Sequence, residues 1–397
     1  MKLLENYSLQ LGQKIDKCHT YEKYYPLPFE NPIIIIQPWS KGAKNYSYIN
    51  DVLDIIYPII TKAGYKLVQV GGPNEKVLKY CYHTQGTTNW GQLEYLISKS
   101  SLVISADSIS SHLAGHYNIP LCVLISNNFK ETVSPYFGDK SKQIVLEPDR
   151  NNKNPLFMLD EPGKKQIDEI KTEDIAKSVC SLLNIEYTYN YNTLFTGNIY
   201  QNPMIISTCN DVINPAQIGV DSLILDLTLS ESFNENILIQ QAQICPVSII
   251  CNKPLSDNIF NFHKQTKRIR EVLYVIDENN SPDFARKVQR NGINLRLISE
   301  LLPEKINKLK LDYMEISVIN KLNYINPKEI EELKNKDLNN LYFKSAKFYI
   351  SGGQIYPSKA HLLAKQNVGN FDQIVNCLNN LDFIKEMDSF RILEKLT

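Results

Sequence analysis

Two α/β domains built on parallel sheets are what this sequence predicts, and three observations predict them. Short β-branched runs alternate with stretches of helical length and spacing. Glycine or proline stands in the turns between them. A chain of 397 residues is long enough for two domains of ordinary size.

The elements follow in order. Residues 1–30 are polar and Tyr-rich, ending in Pro26-Leu27-Pro28-Phe29, and read as a lead-in that packs on a domain. Ile33–Ile36, set between Pro32 and Pro38, has the continuous apolar character of a strand buried on both faces. A helix is expected over Ile49–Ala63, stopped by Gly64, then a strand over Lys66–Val70 closed by Gly71-Gly72-Pro73. The pattern predicts further helices over Asn74–Tyr82, over Asn89–Ile97 and over Ser110–Tyr117. It predicts strands over Leu102–Ser105 and Pro120–Ile125, and a last helix over Thr172–Leu183. Asp149–Lys165 reads as a surface excursion.

Past a polar stretch at 187–202, read as a linker, the alternation resumes. Strands are expected at Met204–Ser207, Ser222–Asp226, Val247–Cys251, Val272–Ile276 and Leu295–Ile298, with a helix over Phe284–Arg290 leaving through Asn291-Gly292. The apolar run Lys347–Ser351 ends in Gly352-Gly353. The expected division is therefore a lead-in (1–30), a first domain (31–186), a linker (187–202) and a second domain (203–397).

Composition bounds the function classes. The chain is 43% hydrophobic and 22% charged, which is globular, and 43 Lys+Arg balance 43 Asp+Glu. A neutral balance argues against a general polyanion-binding surface, so nucleic acid is an unexpected partner. Purely apolar runs such as Ile33–Ile36 fall far short of the roughly 20 residues of a membrane span. The opening Met1-Lys2-Leu3-Leu4-Glu5-Asn6 turns polar at once, unlike a signal peptide. Cys18, Cys81, Cys122, Cys180, Cys209, Cys245, Cys251 and Cys377 are scattered, with neither a Cys-x-x-Cys pair nor zinc-type spacing. A reducing, cytoplasmic setting without metal or cofactor is the expectation.

Open parallel sheets bind ligands beyond the carboxyl ends of their strands. Here those ends are where small, polar and charged residues gather. Ser40, Lys41 and Lys44 follow the first strand. Gly71, Gly72 and Glu75 follow the second. Asp107, Ser108, Ser111 and His112 follow the strand at 102–105. Three turns would then face one crevice. A helix opening near Ser108 presents free N–H groups to an anion, Lys44 adds a full charge, and Glu75 can accept hydroxyl hydrogen bonds.

These residues also carry a family resemblance. IIIIQP followed by Lys44-Asn45-Tyr46, then KLVQVGGPNE, then LEYLISKSSLVISADSISSHLAGHYNIPLCVLI, and finally Pro135, stand in the order seen in the donor-binding half of the ADP-heptose lipopolysaccharide heptosyltransferases. The chain resembles that group of GT-B glycosyltransferases over about a quarter of its length. The resemblance implies two Rossmann-like domains, GT-B-like, here with divergent or permuted order. It implies that Lys44 meets the donor diphosphate, Glu75 the ribose hydroxyls, and Asp107, Ser108 and His112 the diphosphate and sugar. Ser40, Lys41, Gly71, Gly72 and Ser111 would support the phosphate loop. The implied activity is metal-independent, inverting transfer from a nucleotide sugar to a glycan or other hydroxyl acceptor.

There are departures. Ile109 and Ser126 stand where glycines are usual, and Tyr46 stands for a Trp. Only about 30 residues precede the donor-type domain, so no counterpart of the family's catalytic carboxylate can be assigned. Plainer readings also stand beside each residue: Asp107 as a helix cap, His112 as a buried structural histidine, Lys44 as a surface lysine, Gly71-Gly72-Pro73 as any tight turn. A non-catalytic nucleotide-sugar or glycan-binding protein and a DNA-modifying glycosyltransferase are the competing functions.

In the second half Asp211, Asp221, Asp226 and Glu231 lie near predicted strand ends, as bases or as turn residues. His263, Lys264, Lys267, Arg268 and Arg270 form a basic cluster in an expected helix, facing an anionic acceptor or solvent. Tyr356, Ser358, Lys359 and His361, after Ser351-Gly352-Gly353, suggest no mechanism.

Overall fold

The computed structural model describes residues 2–16, 19–161, 164–188, 190–229, 233–314, 317–321, 327–377 and 381–396. The chain forms two compact units, Met1–Thr193 and Leu194–Thr397.

The first unit contains a six-stranded, all-parallel sheet of β1 (Ile33–Gln37), β2 (Lys66–Gln69), β3 (Cys81–His83), β4 (Ser100–Ala106), β5 (Leu121–Leu124) and β6 (Gln143–Leu146). Its helices are α1 (Leu3–Leu11), α2 (Ile49–Lys62), α3 (Trp90–Ser98), α4 (Ile109–His116), α5 (Lys130–Val133) and α6 (Thr172–Leu182). The strand order is β3-β2-β1-β4-β5-β6, the Rossmann order. Helices cover both faces, so Ile33–Ile36 are all buried, which is why β1 reads as an unbroken apolar run. On α2, Val52, Leu53, Ile56 and Ile60 are buried at helical spacing.

Asn74–Tyr82 is not the helix expected. Its backbone groups bind side chains instead of one another. Leu78 N–H donates to Gln69 Oε1 (2.9 Å), Gln69 Nε2 donates to the Lys76 carbonyl (2.8 Å), and Lys79 N–H donates to Asn50 Oδ1 (3.0 Å). The stretch then ends in edge strand β3. The lead-in packs as expected at its end, where Tyr25, Leu27 and Phe29 lie on the core, whereas α1 buries none of its residues.

The second unit has an eight-stranded sheet of β8 (Met204–Ser207), β9 (Leu223–Asp226), β10 (Val247–Cys251), β11 (Ile269–Val275), β12 (Asn294–Ser299), β13 (Val318–Asn320), β15 (Lys347–Ser351) and β16 (Gln354–Tyr356), in the order β13-β12-β11-β10-β9-β8-β15-β16. Every pairing is parallel except the β15–β16 hairpin. That hairpin turns through Gly352 (φ +57°) and Gly353 (φ +71°), two successive left-handed positions that favour glycine. Its helices are α7 (Glu235–Ile244), α8 (Asp257–Thr266), α9 (Pro282–Arg290), α10 (Pro303–Tyr313), α11 (Pro327–Lys334) and α12 (Lys359–Leu363).

Sequence patterning missed a second, four-stranded sheet, β17-β14-β18-β7, made of β7 (Tyr191–Thr196), β14 (Leu341–Ser345), β17 (Val375–Asn376) and β18 (Phe390–Lys395). Strand β7 falls within the stretch read as a linker, and its Leu194 and Phe195 pack on a cluster that includes Phe343, Phe383 and Phe390. Among the described residues, no helix is long and apolar enough to cross a membrane.

Candidate functional site

The order in which strands are added to the first sheet reverses at β1/β4, because β2 and β3 lie to one side of β1 and β4–β6 to the other. The space beyond the carboxyl ends of such a strand pair is where doubly wound sheets hold ligands. Beyond β1 the backbone turns through Gly42–Lys44. Gly42 has φ +52°, and a side chain there would strike the Leu159 carbonyl, to which Ala43 N–H donates at 2.6 Å. Fully buried Tyr46 anchors the exit, its hydroxyl donating to the Ile170 carbonyl at 2.8 Å. Ser47 N–H and Oγ both donate to the Asp168 carboxylate at 2.8 Å. So fixed, the turn aims Lys44 across the crevice.

Beyond β4, Asp107 and Ser108 lead into α4. Lys44 Nζ lies 2.5 Å from Asp107 Oδ2, and His112 Nε2, one turn into α4, lies 3.9 Å from Oδ1 of the same carboxylate. Burial holds the His112 imidazole below its ordinary value. The Asp107 charge opposes that shift, and Lys44 and Lys2 add to it. Ser108 does not cap α4 with its side chain. Its hydroxyl donates to Gln37 Oε1 (2.9 Å) and lies 3.1 Å from Ser105 Oγ, stitching the end of β4 to that of β1. In the first turn of α4, Ser111 N–H donates to the Ser108 carbonyl at 3.2 Å, Ser108 adds no side-chain cap, and the helix dipole favours negative charge there.

Glu75 sits beyond neighbouring strand β2. Its Oε1 accepts from Gly72 N–H at 3.0 Å, while its Oε2 is buried with no hydrogen-bond partner among the described residues. Burial pushes its pKa up, against the lowering effect of the Gly72 N–H. Gly71, at φ +149°, lies directly beneath the carboxylate, and a side chain there would collide with it. An unsatisfied buried acceptor of this kind suits a hydroxyl donor.

The structure therefore brings Lys44, Asp107 and His112 into direct proximity, with Ser108 beside them. Glu75, Gly71 and Gly72 form their own group at the adjacent strand end. The supporting residues fare differently. Ser40 fixes the turn through its N–H, which donates to Asn45 Oδ1 at 2.7 Å, and Lys41 is exposed. Ser111 is fully buried, its hydroxyl donating to the Ser108 carbonyl at 2.7 Å, so it shapes the turn from within. Ile109 stands 40% exposed at the start of α4, clear of the core. Sequence reasoning missed Gln37, Leu159 and Asp168, which hold the site from far along the chain. No local pattern marks them.

In the second unit two of the acid candidates, Asp211 and Asp226, accept hydrogen bonds within the protein. Asp226 Oδ1 accepts from Thr228 N–H (3.0 Å) and Oγ1 (2.6 Å), and Asp211 Oδ1 accepts from Gly352 N–H at 3.4 Å. Asp221 is exposed, and Glu231 lies outside the described residues. The basic cluster is not one helical face. Helix α8 ends at Thr266, Arg270 belongs to β11, and His263 is buried with neither ring nitrogen bonded among the described residues. Ser358 caps α12 and lies 2.7 Å from Nδ1 of buried His361, whose pKa burial pushes down to about 4.

Fold and site together define a doubly wound α/β protein with a polar side-chain cluster at the switch point of its first sheet. No protein-family model matches the chain, and no curated protein matches it. Among solved structures it is similar to a glycosyl transferase of family 9 from Veillonella parvula, at 20% identity over 39% of this chain and 46% of that one, with a TM-score of 0.32. It is also similar to ADP-heptose lipopolysaccharide heptosyltransferase II of Escherichia coli, at 16% identity over 45% of this chain and 50% of that one, with a TM-score of 0.31. A third, an iron-containing dodecameric glycosyltransferase of enterotoxigenic Escherichia coli, gives 13% identity over 42% and 48%, with a TM-score of 0.33. The matched part thus spans about half the length of these chains.

Proposed function

We propose that the first unit binds a nucleoside-diphosphate sugar at the β1/β4 switch point and that the chain transfers the sugar to an acceptor hydroxyl. One observation carries the reading: Lys44, Asp107 and His112, from two different strand ends, meet beside the N-terminus of α4. A diphosphate placed there takes the Lys44 ammonium in exchange for Asp107 and accepts from the first-turn N–H groups of α4. The open Oε2 of Glu75 then accepts from a ribose hydroxyl. As the glycosidic bond breaks, charge builds on the departing diphosphate, where this cation and these dipoles are already aimed. Metal-independent, inverting transfer to a glycan or other hydroxyl acceptor is the part of the proposal taken from the sequence resemblance.

The test is a thermal-shift titration with ADP, UDP, GDP and their sugars on wild type, Lys44→Met and His112→Ala. A genuine site gives a shift that grows with ligand concentration over Kd and shrinks in both variants. Equal shifts in all three proteins would remove the assignment.

A further inference from the structure

Along the carboxyl edge of the first sheet the candidate residues follow the strand order. Glu75 stands after β2, Lys44 after β1 and His112 after β4. The next strand outward is β5, and the chain leaving it passes through α5 to Pro135. Pro135 packs on α4: a methyl group on Gly115 would lie 2.7 Å from its Cβ, and Gly115 is one turn along from His112. Lys2, at the start of α1, reaches this point from the far end of the unit. Its Nζ donates to the Pro135 carbonyl at 3.0 Å.

Two cations share that carbonyl. Lys140 Nζ donates to it at 2.7 Å, and also meets the carbonyls of Tyr136 (3.2 Å) and Phe137 (3.3 Å) and Gln143 Oε1 (3.1 Å). Lys140 therefore has an acceptor for every N–H of its ammonium group. Lys2 Nζ has the Pro135 carbonyl alone, and no carboxylate pairs with either lysine among the described residues. Burial, and after it the Lys2 charge, holds Lys140 below its ordinary pKa. The Lys2 charge is felt at His112 too, where it adds to the lowering by burial and by Lys44. The Lys2 ammonium is thus part-satisfied and repelled where it rests. Its backbone is fixed, with Lys2 N–H donating to Glu5 Oε2 at 2.7 Å, but α1 buries none of its residues, so no core packing holds the side chain there.

We infer that Lys2 is a second cation of the diphosphate site, exchanging the Pro135 carbonyl for the terminal phosphate of the bound nucleotide. The inference rests on the nucleotide reading proposed above and adds to it the residue that recognises the outer phosphate. A nucleoside diphosphate laid along the strand order, with its ribose at Glu75, carries its second phosphate toward the β5 side, where Lys2 is. The exchange replaces a neutral acceptor with a charged one, which makes the stronger hydrogen bond, and relieves the repulsion from Lys140. A purely structural Lys2 would tether α1 and leave the second phosphate unread.

Isothermal titration of the full chain with ADP and with AMP at low salt tests this, on wild type, Lys2→Met, Lys2→Arg, Lys44→Met and Lys142→Met. Lys2→Met is expected to weaken ADP binding by about fivefold or more and AMP binding by less than about twofold. Lys2→Arg keeps the charge and is expected to stay within about threefold of wild type. Lys142→Met removes an exposed lysine from the same neighbourhood and is expected to bind as wild type does. If Lys44→Met loses affinity while Lys2→Met binds ADP within about twofold of wild type, the role of Lys2 is overturned and the diphosphate site stands. Equal losses of ADP and AMP in Lys2→Met would overturn it as a structural effect. An equal loss in Lys142→Met would overturn it as a long-range one. A wild-type protein that binds neither nucleotide would remove the site itself, and this inference with it.

Discussion

Lys44→Met is the most informative single change, because it keeps most of the side-chain stem and removes only the charge. In the unliganded protein that charge lies 2.5 Å from Asp107 Oδ2, with the Lys44 side chain 28% exposed and that of Asp107 only 9%. Removing it leaves a nearly buried carboxylate with His112, 3.9 Å away, as its remaining neighbour in the crevice. Breaking a fully buried pair costs several kcal/mol, but solvent reaches this lysine. The expected loss is about 1 kcal/mol, or roughly 2–4 °C in Tm for a unit of this size.

The effect on ligand is larger. A charge-assisted hydrogen bond to a diphosphate contributes about 1.5–3 kcal/mol, so affinity should fall about 10- to 150-fold. Isothermal titration with ADP and UDP at low salt reads this directly. Adding Asp107→Asn on top of Lys44→Met should restore the Tm and leave the affinity low, which separates lost folding from lost binding. A folded Lys44→Met protein that binds within twofold of wild type would refute the reasoning.

Three more outcomes are expected. Gly71→Ala drives a methyl group into the Glu75 carboxylate, so it and Glu75→Ala should both erase the preference for ADP over its 2′,3′-dideoxy analogue in competition binding. His112 is held below its usual pKa when the site is empty, and a bound anion would draw a proton onto it. Affinity for ADP, whose terminal phosphate itself titrates at about pH 6, should therefore rise more steeply in wild type than in His112→Ala as pH falls from about 7.5 to about 5.5. Finally, His361 in the folded chain takes up its proton only near about 4, whereas an unfolded imidazole does so near 6.5. The unfolded state thus binds more protons in that window, so stability drops as pH falls through it, and the Tm loss between pH 7 and pH 5 should be smaller in His361→Gln.

Much of the first unit was legible because its signals are local. Ile33–Ile36 announced a strand buried on both faces. Gly64 and Asn89 marked helix ends, and the polar residues after three strands pointed to one edge of the sheet. What failed to show depended on distant partners. Gln69 satisfies the backbone of Lys76 and Leu78 and thereby replaces the helix expected over Asn74–Tyr82. Asp168 and Leu159 brace the Lys44 turn from more than a hundred residues away, through ordinary carboxylate and carbonyl bonds that leave no motif. In the second unit, β7 looked like a linker because its Tyr- and Asn-rich sequence lacks the apolar alternation of a half-buried strand. The antiparallel sheet that recruits it joins segments nearly two hundred residues apart, β7 and β18. His263 appeared to belong to a basic surface because Lys and Arg surround it in sequence. The helix turns it inward and ends before the arginines begin.

A structure of the chain crystallised with ADP or UDP would test the diphosphate cradle most directly. The account predicts phosphate oxygens on Lys44 Nζ and on the first-turn N–H groups of α4, with a ribose hydroxyl on Glu75 Oε2. A nucleotide seated away from the β1/β4 switch point, with the Lys44–Asp107 pair still closed, would contradict it.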